Sequence, residues 1–194
     1  MAVMLKCNLE RCIIEHCSPT LAGIKTAGLF SCGLLSERDM LEQVQKINKK
    51  LRHKDIVVSV MTKSDGRALI YVYRKSKLKA ELERKEITEF LDSYGYTGLT
   101  PEKSVARLKQ RLSESCDFPH EIGVFLGYPL EDVKGFIINE GKNCKCMGCW
   151  KVYSDECEAV KLFEKYKKCT DIYKRLHTLG RPVEHLTVRN IAAH

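Results

Sequence analysis

The sequence contains no apolar run near the roughly 18 residues that a membrane-spanning helix requires, so a helical membrane protein is not the expected class. A readable export leader is also missing, because Glu10, Arg11 and Glu15 interrupt what would have to be an apolar segment. The expected compartment is therefore the cytoplasm. Internal repeats and low-complexity stretches are absent, and the most linker-like segment, residues 140–148, is short. With 44% hydrophobic and 30% charged residues, wholesale disorder is excluded as well. At 194 residues the expectation is a single domain over 1–194, with 1–95 mainly sheet and covering helices and 100–194 mainly helical.

Several catalytic signatures are lacking too. His120-Glu121 opens a helix, but the zinc-protease motif needs a second His four residues on, and position 124 is Val. Metalloprotease chemistry is excluded, and Glu121 is read as a carboxylate favoured by the helix dipole. The segment from His16 to Lys25 lacks the full phosphate-loop pattern.

What is present reads as α+β. Leu5, Leu9, Cys12, Ile13 and His16 form one helical stripe, which Ser18-Pro19 is expected to end because the residue before proline avoids helical geometry. Residues 21–32, interrupted by Gly23 and Gly28, read as an extended segment with a bulge. Ser36 and Asp39 resemble a capping box ahead of Met40, Val44, Ile47 and Leu51. Two β-branched and aromatic runs, 56–61 and 68–73, flank the turn dipeptide Asp65-Gly66 and predict a hairpin.

A helix is then expected from Ser76 to Gly95, carrying Leu78, Leu82, Ile87, Phe90, Leu91 and Tyr94. Thr100-Pro101 starts another, and Phe118-Pro119 and Tyr128-Pro129 open two short ones. Trp150 to Tyr153 alternates as a fourth strand, and Ser154 caps a long helix that Gly180 and Pro182 end. The expected architecture is a small mixed sheet of about four strands covered by helices, with a helix-rich C-terminal half.

The net charge is +8, about +5 before Tyr94 and +3 after, with local concentrations at residues 46–54, 74–79 and 165–168. Most such runs are solvated helix faces; the alternative is an anionic partner held by charge. The ten cysteines cannot be a disulfide framework in a reducing compartment, so they are core, metal or redox residues. Cys7, Cys12 and Cys17 recur every five residues and do not share a helical face, which suits no metal. Cys12, Cys32 and Cys116 are expected to fill core space.

Three segments carry a resemblance. They run from His16-Cys17-Ser18-Pro19-Thr20 through Lys25, from Pro119-His120-Glu121-Ile122 through Pro129, and over Trp150-Lys151-Val152-Tyr153. In these the chain resembles a set of uncharacterised proteins of clostridial anaerobes, known only as a domain of unknown function. The resemblance covers nearly the whole chain and implies an intracellular single-domain protein, with a role in anaerobic iron or redox physiology. No catalytic residue carries over, and variation of the family around Cys144 and Cys146 tells against a shared metal site.

Two candidate sites follow. Cys144, Cys146 and Cys149 form C-x-C-x2-C, with Cys157 beyond seven intervening residues, so thiolates on a basic loop could bind zinc or, less well by spacing, an iron-sulfur cluster. Plain structural cysteines read equally well. His16, Thr20 and Lys25 flank a turn whose backbone N–H groups could hold an anion. Residues 121–137 mimic a helix-turn-helix, but Glu131 and Asp132 at the start of its second helix would repel phosphates, so specific DNA binding is not expected. The leading expectation is an accessory or binding protein in anaerobic metal or redox metabolism, with a protein or small anionic ligand as partner. The alternative is a small enzyme acting on an anionic substrate at the His16 to Lys25 loop.

Overall fold

The structure, a computed structural model, describes residues 8–33, 36–114 and 118–189. Leu5, Cys7 and Cys116 lie outside the described residues. Contacts divide the chain into two compact units: Met1–Lys75 with Cys169–His194, and Ser76–Lys168. The division falls at Lys75, earlier than the composition suggested, and the C-terminal segment returns to the first unit.

In the first unit, α1 (Leu9–Leu21) starts where the Asn8 side chain accepts the Arg11 N–H at 3.1 Å. Leu9, Ile13, Ile14, Cys17 and Leu21 are its buried face, while His16 is exposed. Pro19 does not end this helix but lies inside its last turn. The preference against helix before proline costs little there. Ser18 donates its hydroxyl to the Ile14 carbonyl, and Ser18, Pro19 and Thr20 are all buried, so packing decides the conformation.

Strands β1 (Ala27–Gly33), β2 (Ile56–Ser64) and β3 (Arg67–Arg74) form one antiparallel sheet in the order β1-β3-β2. Asp65 and Gly66 close the hairpin with φ of 50° and 69°, the doubly positive pair that a two-residue turn between twisted strands needs. The irregularity expected near Gly28 falls instead in β2, between Val60 and Thr62. Gly28 serves close packing: a Cβ there would sit 2.5 Å from the Cys17 sulfur, so its absence lets α1 lie against β1.

Helix α2 (Glu37–Leu51) is capped by Ser36, whose hydroxyl accepts the Asp39 N–H at 3.0 Å. Met40, Val44, Ile47 and Leu51 then face Phe30, Val58, Val60, Ile70 and Val72 in one core, and Cys32 belongs to it while Cys12 packs against its margin. Asn48 of α2 both donates to the Val58 carbonyl and accepts its N–H, each at 2.8 Å, and so occupies the outer edge of β2 at that point.

In the second unit the expected helix from Ser76 to Gly95 is two, α3 (Lys75–Leu82) and α4 (Lys85–Asp92). Arg84 is extended between them, its guanidinium bonded to Glu81 at 2.8 Å and Glu86 at 2.6 Å. Then come α5 (Pro101–Glu114), α6 (Ile122–Phe125), α7 (Leu130–Ile138), and a ribbon of β4 (Cys146–Met147) and β5 (Lys151–Val152). The run at Trp150 to Tyr153 is thus part of a separate two-stranded ribbon and not a fourth strand of the main sheet. Helix α8 (Glu156–Thr178), of which residues 156–168 belong to the second unit and 169–178 to the first, is capped by Asp155, which accepts the Glu158 N–H at 3.0 Å, and not by Ser154. The short α9 (Val183–Leu186) follows in the first unit.

At the end of β3, Arg74 is 1% exposed. Its guanidinium donates to the carbonyls of Thr20 (2.7 Å), Leu21 (2.6 Å), Val188 (2.8 Å) and Lys54 (3.3 Å). Arg74→Met is expected to destabilise the protein by about 3–5 kcal/mol, because it leaves several buried acceptors unsatisfied at once. Arg74→Lys should recover only part of this, since one ammonium cannot reproduce the planar fork. Urea unfolding followed by circular dichroism measures both; a loss below about 1 kcal/mol for Arg74→Met would refute the assignment.

Candidate functional site

On the first unit an open groove of about 550 Å³ lies between the start of α1, one face of α2, and Glu184 of α9. Helical spacing creates its cationic wall: Gln43, Lys46, Ile47 and Lys50 recur on one stripe, joined by Lys49 and His53. Of its two acidic residues, Glu10 and Glu184, Glu10 is engaged, one oxygen accepting the Val183 N–H at 2.8 Å and the other lying 3.3 Å from the Lys50 ammonium. The Gln43 carbonyl accepts the Leu9 N–H at 3.0 Å. Lys46, Lys49 and His53 remain exposed.

The charge partition between the units sharpens this picture. The first unit carries 17 Lys and Arg against 9 Asp and Glu, whereas the second carries 16 of each. The whole net charge of +8 therefore resides in the first unit, which a cut at Tyr94 spread over both halves.

The residues from His16 to Lys25 do not line this groove. The His16 ring is stacked on Phe30 at 5.0 Å with 19° between planes. Thr20 is fully buried, its carbonyl used by Arg74 and its hydroxyl without a partner among the described residues. Lys25 is half-buried beside Cys17, whose thiol is pushed up to about 12 by burial, with the Lys25 charge opposing.

The second unit presents the cysteine segment. In its ribbon Cys146 is opposite Val152 and Met147 opposite Lys151, extended by Lys145 N–H to the Val152 carbonyl at 2.8 Å. Cys144 and Cys146 are half-buried neighbours. The Cys146 thiol is raised by burial, then by the charges of Glu156 and Cys144. Cys149 is exposed past the turn, and its carbonyl accepts the Tyr128 hydroxyl at 3.2 Å. Cys157 is exposed in the first turn of α8. Among the described residues no three His, Cys, Asp or Glu are grouped so as to hold a metal. The structure thus does not gather Cys144, Cys146, Cys149 and Cys157 as one ligand set among the described residues.

Sequence reasoning missed two buried acids as anchors. Asp132 of α7, 2% exposed, accepts four hydrogen bonds: from Trp150 Nε1 (2.7 Å), Tyr153 N (2.8 Å), Ser154 N (2.7 Å) and Ser154 Oγ (2.7 Å). It faces inward, away from the role the helix-turn-helix pattern would give it. Trp150 stacks on Tyr128 at 4.9 Å and meets Phe163 edge-on at 4.6 Å. Glu121, 1% exposed, accepts from Arg111 Nε at 2.5 Å and Tyr96 Oη at 3.1 Å. In the sequence both look like ordinary first-turn carboxylates; only their buried donors separate them from that reading.

A family model described as "Protein of unknown function (DUF3793)" matches residues 13–187. The chain belongs to this family. No curated protein and no solved structure matches it. The matched span includes Lys46, Lys49, Lys50, His53, Asp132 and the Cys144 to Cys149 segment, and begins after Asn8 and Glu10. Among the described residues no helix is long and apolar enough to cross a membrane.

Burial alone would push the Asp132 carboxyl up, but its four hydrogen bonds together outweigh this and hold it below the usual carboxylate range. A carboxyl lowered in the folded state contributes stability that is complete above its unfolded value and disappears as pH falls through the folded one. Trp150 is the single tryptophan, so intrinsic tryptophan fluorescence reports this ribbon alone. Its emission is expected to stay constant from neutral pH to about 4.5 and to shift on further acidification. Asp132→Asn should give the shifted emission at neutral pH and cost about 2–3 kcal/mol in unfolding experiments. Unchanged Trp150 emission in that variant would show that the carboxylate does not hold the ribbon.

Proposed function

We propose that this protein is a cytoplasmic binding protein and that it takes a small anionic ligand in the groove on its first unit. The observation that carries this reading is the confinement of the net positive charge to that unit, with Lys46, Lys49, Lys50 and His53 on a concavity of ligand size. Ammonium groups at the end of α2 are also favoured by its dipole, which is the purely structural reason for lysines there. The concavity distinguishes the two: a solvated helix end needs no second wall, and here the start of α1 supplies one, with Glu10 paired to Lys50 and the Glu184 carboxylate opposing an anion on that side. The reading as an enzyme at His16, Thr20 and Lys25 has less support, since Arg74 already employs the Thr20 and Leu21 carbonyls. A place in metal or redox metabolism has one observation in its favour, the C-x-C spacing of Cys144 and Cys146 at the ribbon of the second unit.

Isothermal titration with tripolyphosphate and with citrate tests the anion reading. Saturable one-to-one binding that weakens as sodium chloride rises is expected, and Lys46→Glu with Lys49→Glu should weaken it at least about tenfold. No saturable binding by either probe, or equal binding by the double variant, would refute it.

A further inference from the structure

We propose that the ligand of the groove on the first unit is a zwitterion with two or more acid groups and a single ammonium, the chemistry of a short acidic peptide with a free N-terminus or of a phosphorylated amino acid. The zwitterion builds on the anion reading above: its acid groups take the cationic wall already described, and its ammonium takes the wall opposite.

The two walls carry opposite charge. On the α2 side Lys46, Lys49 and His53 are exposed, and none of them joins an ion pair among the described residues. From Lys46 to His53 the chain advances about 10 Å at helical rise, so more than one acid group fits along it. Across the groove stand Glu10 and Glu184. Glu10 is neutralised, with Lys50 3.3 Å from one oxygen and the Val183 N–H donating to the other at 2.8 Å. Glu184 is different. Its carbonyl accepts the Lys54 ammonium, but its carboxylate joins no ion pair among the described residues, and the residue is half-buried. A carboxylate so placed repels a ligand that is anionic throughout. An ammonium on that side of the ligand removes the repulsion and adds an attraction.

Backbone donors on the α1 side do not offer the acid groups another seat. The Leu9 N–H is taken by the Gln43 carbonyl at 3.0 Å and the Arg11 N–H by Asn8 at 3.1 Å, so the positive end of that helix is already engaged. The same bond orients Gln43. With its Oε1 committed to Leu9, the Nε2 amide is its free end and adds donors to the lining. Ile47, 4% exposed, supplies apolar lining for the methylene groups of a ligand. A volume of about 550 Å³ suits a molecule of a few residues.

Charge alone makes a prediction of the opposite sign. Acetylating the amine of such a molecule at neutral pH makes it one unit more negative, so a merely cationic surface binds the acetylated form more tightly. A groove whose second wall recognises the ammonium binds the free amine more tightly.

Isothermal titration of the full chain with two matched pairs tests this: triglutamate against N-acetyl-triglutamate, and O-phosphoserine against N-acetyl-O-phosphoserine. In at least one pair the free amine is expected to bind about threefold more tightly, within the range of a partly exposed ion pair, and the pair that shows it tells a peptide from a phosphorylated ligand. Glu184→Gln is expected to abolish that preference and to bind tripolyphosphate at least as well as the unaltered protein does. Equal or tighter binding of both acetylated forms, with tripolyphosphate still bound, would overturn the zwitterion and leave the anion reading standing. A preference kept in full by Glu184→Gln would overturn it as well. Absence of saturable binding by tripolyphosphate, citrate and all four probes would remove the anion reading itself. The comparison of free with acetylated probes uses the unaltered protein and so does not depend on any variant folding.

Discussion

A single guanidinium holds the first unit together. Arg74 stands at the end of the central strand β3 and reaches carbonyls from three separate places: the last turn of α1, the turn before β2, and the segment after α9. Burial disfavours its charge and lowers its pKa, so those carbonyl dipoles are what makes the position tenable. The geometry propagates outward. Gly23, with φ of 76°, turns the chain beside the guanidinium, and a Cβ there would lie 3.6 Å from its central carbon. Lys54 repeats the device with its ammonium on the Glu184 and Thr187 carbonyls, which fixes α9 in the same unit.

The second unit applies the rule with the opposite sign. Asp132 collects N–H and O–H donors as Arg74 collects acceptors, and the ribbon that carries the cysteines is positioned by it. Glu121 differs, because one of its donors is Arg111: a buried carboxylate is paired with a half-buried guanidinium, and the second carboxylate oxygen is buried without a partner among the described residues. In both units, then, a buried charge ties backbone from distant parts of the chain, while most ion pairs between exposed side chains join near neighbours on helices and add little.

These anchors leave function to surfaces they do not occupy. The first unit concentrates positive charge and offers a groove; the second is electrically balanced and presents sulfur on a rigid ribbon.

Local rules sufficed for much of the fold. The Ser36 cap, the Asp65-Gly66 hairpin, Pro101 at the start of α5 and Gly180 after α8 are interactions within a few residues, so the sequence alone determined them. The α+β class followed from the same periodicities. Tertiary structure decided the rest where distant groups compete with local preference. Pro19 stays helical because its surroundings are buried, and the helix after Ser76 breaks at Arg84, which bridges two carboxylates. Asp132 became an anchor through donors 21 residues and more away. The cysteine segment shows both limits: C-x-C spacing was plain in the chain, yet its place on a ribbon opposite Val152 depends on the donors that Asp132 collects from the returning strand. Hydrogen bonds and burial between residues far apart in sequence have no periodic signature, and so only the folded chain reveals them.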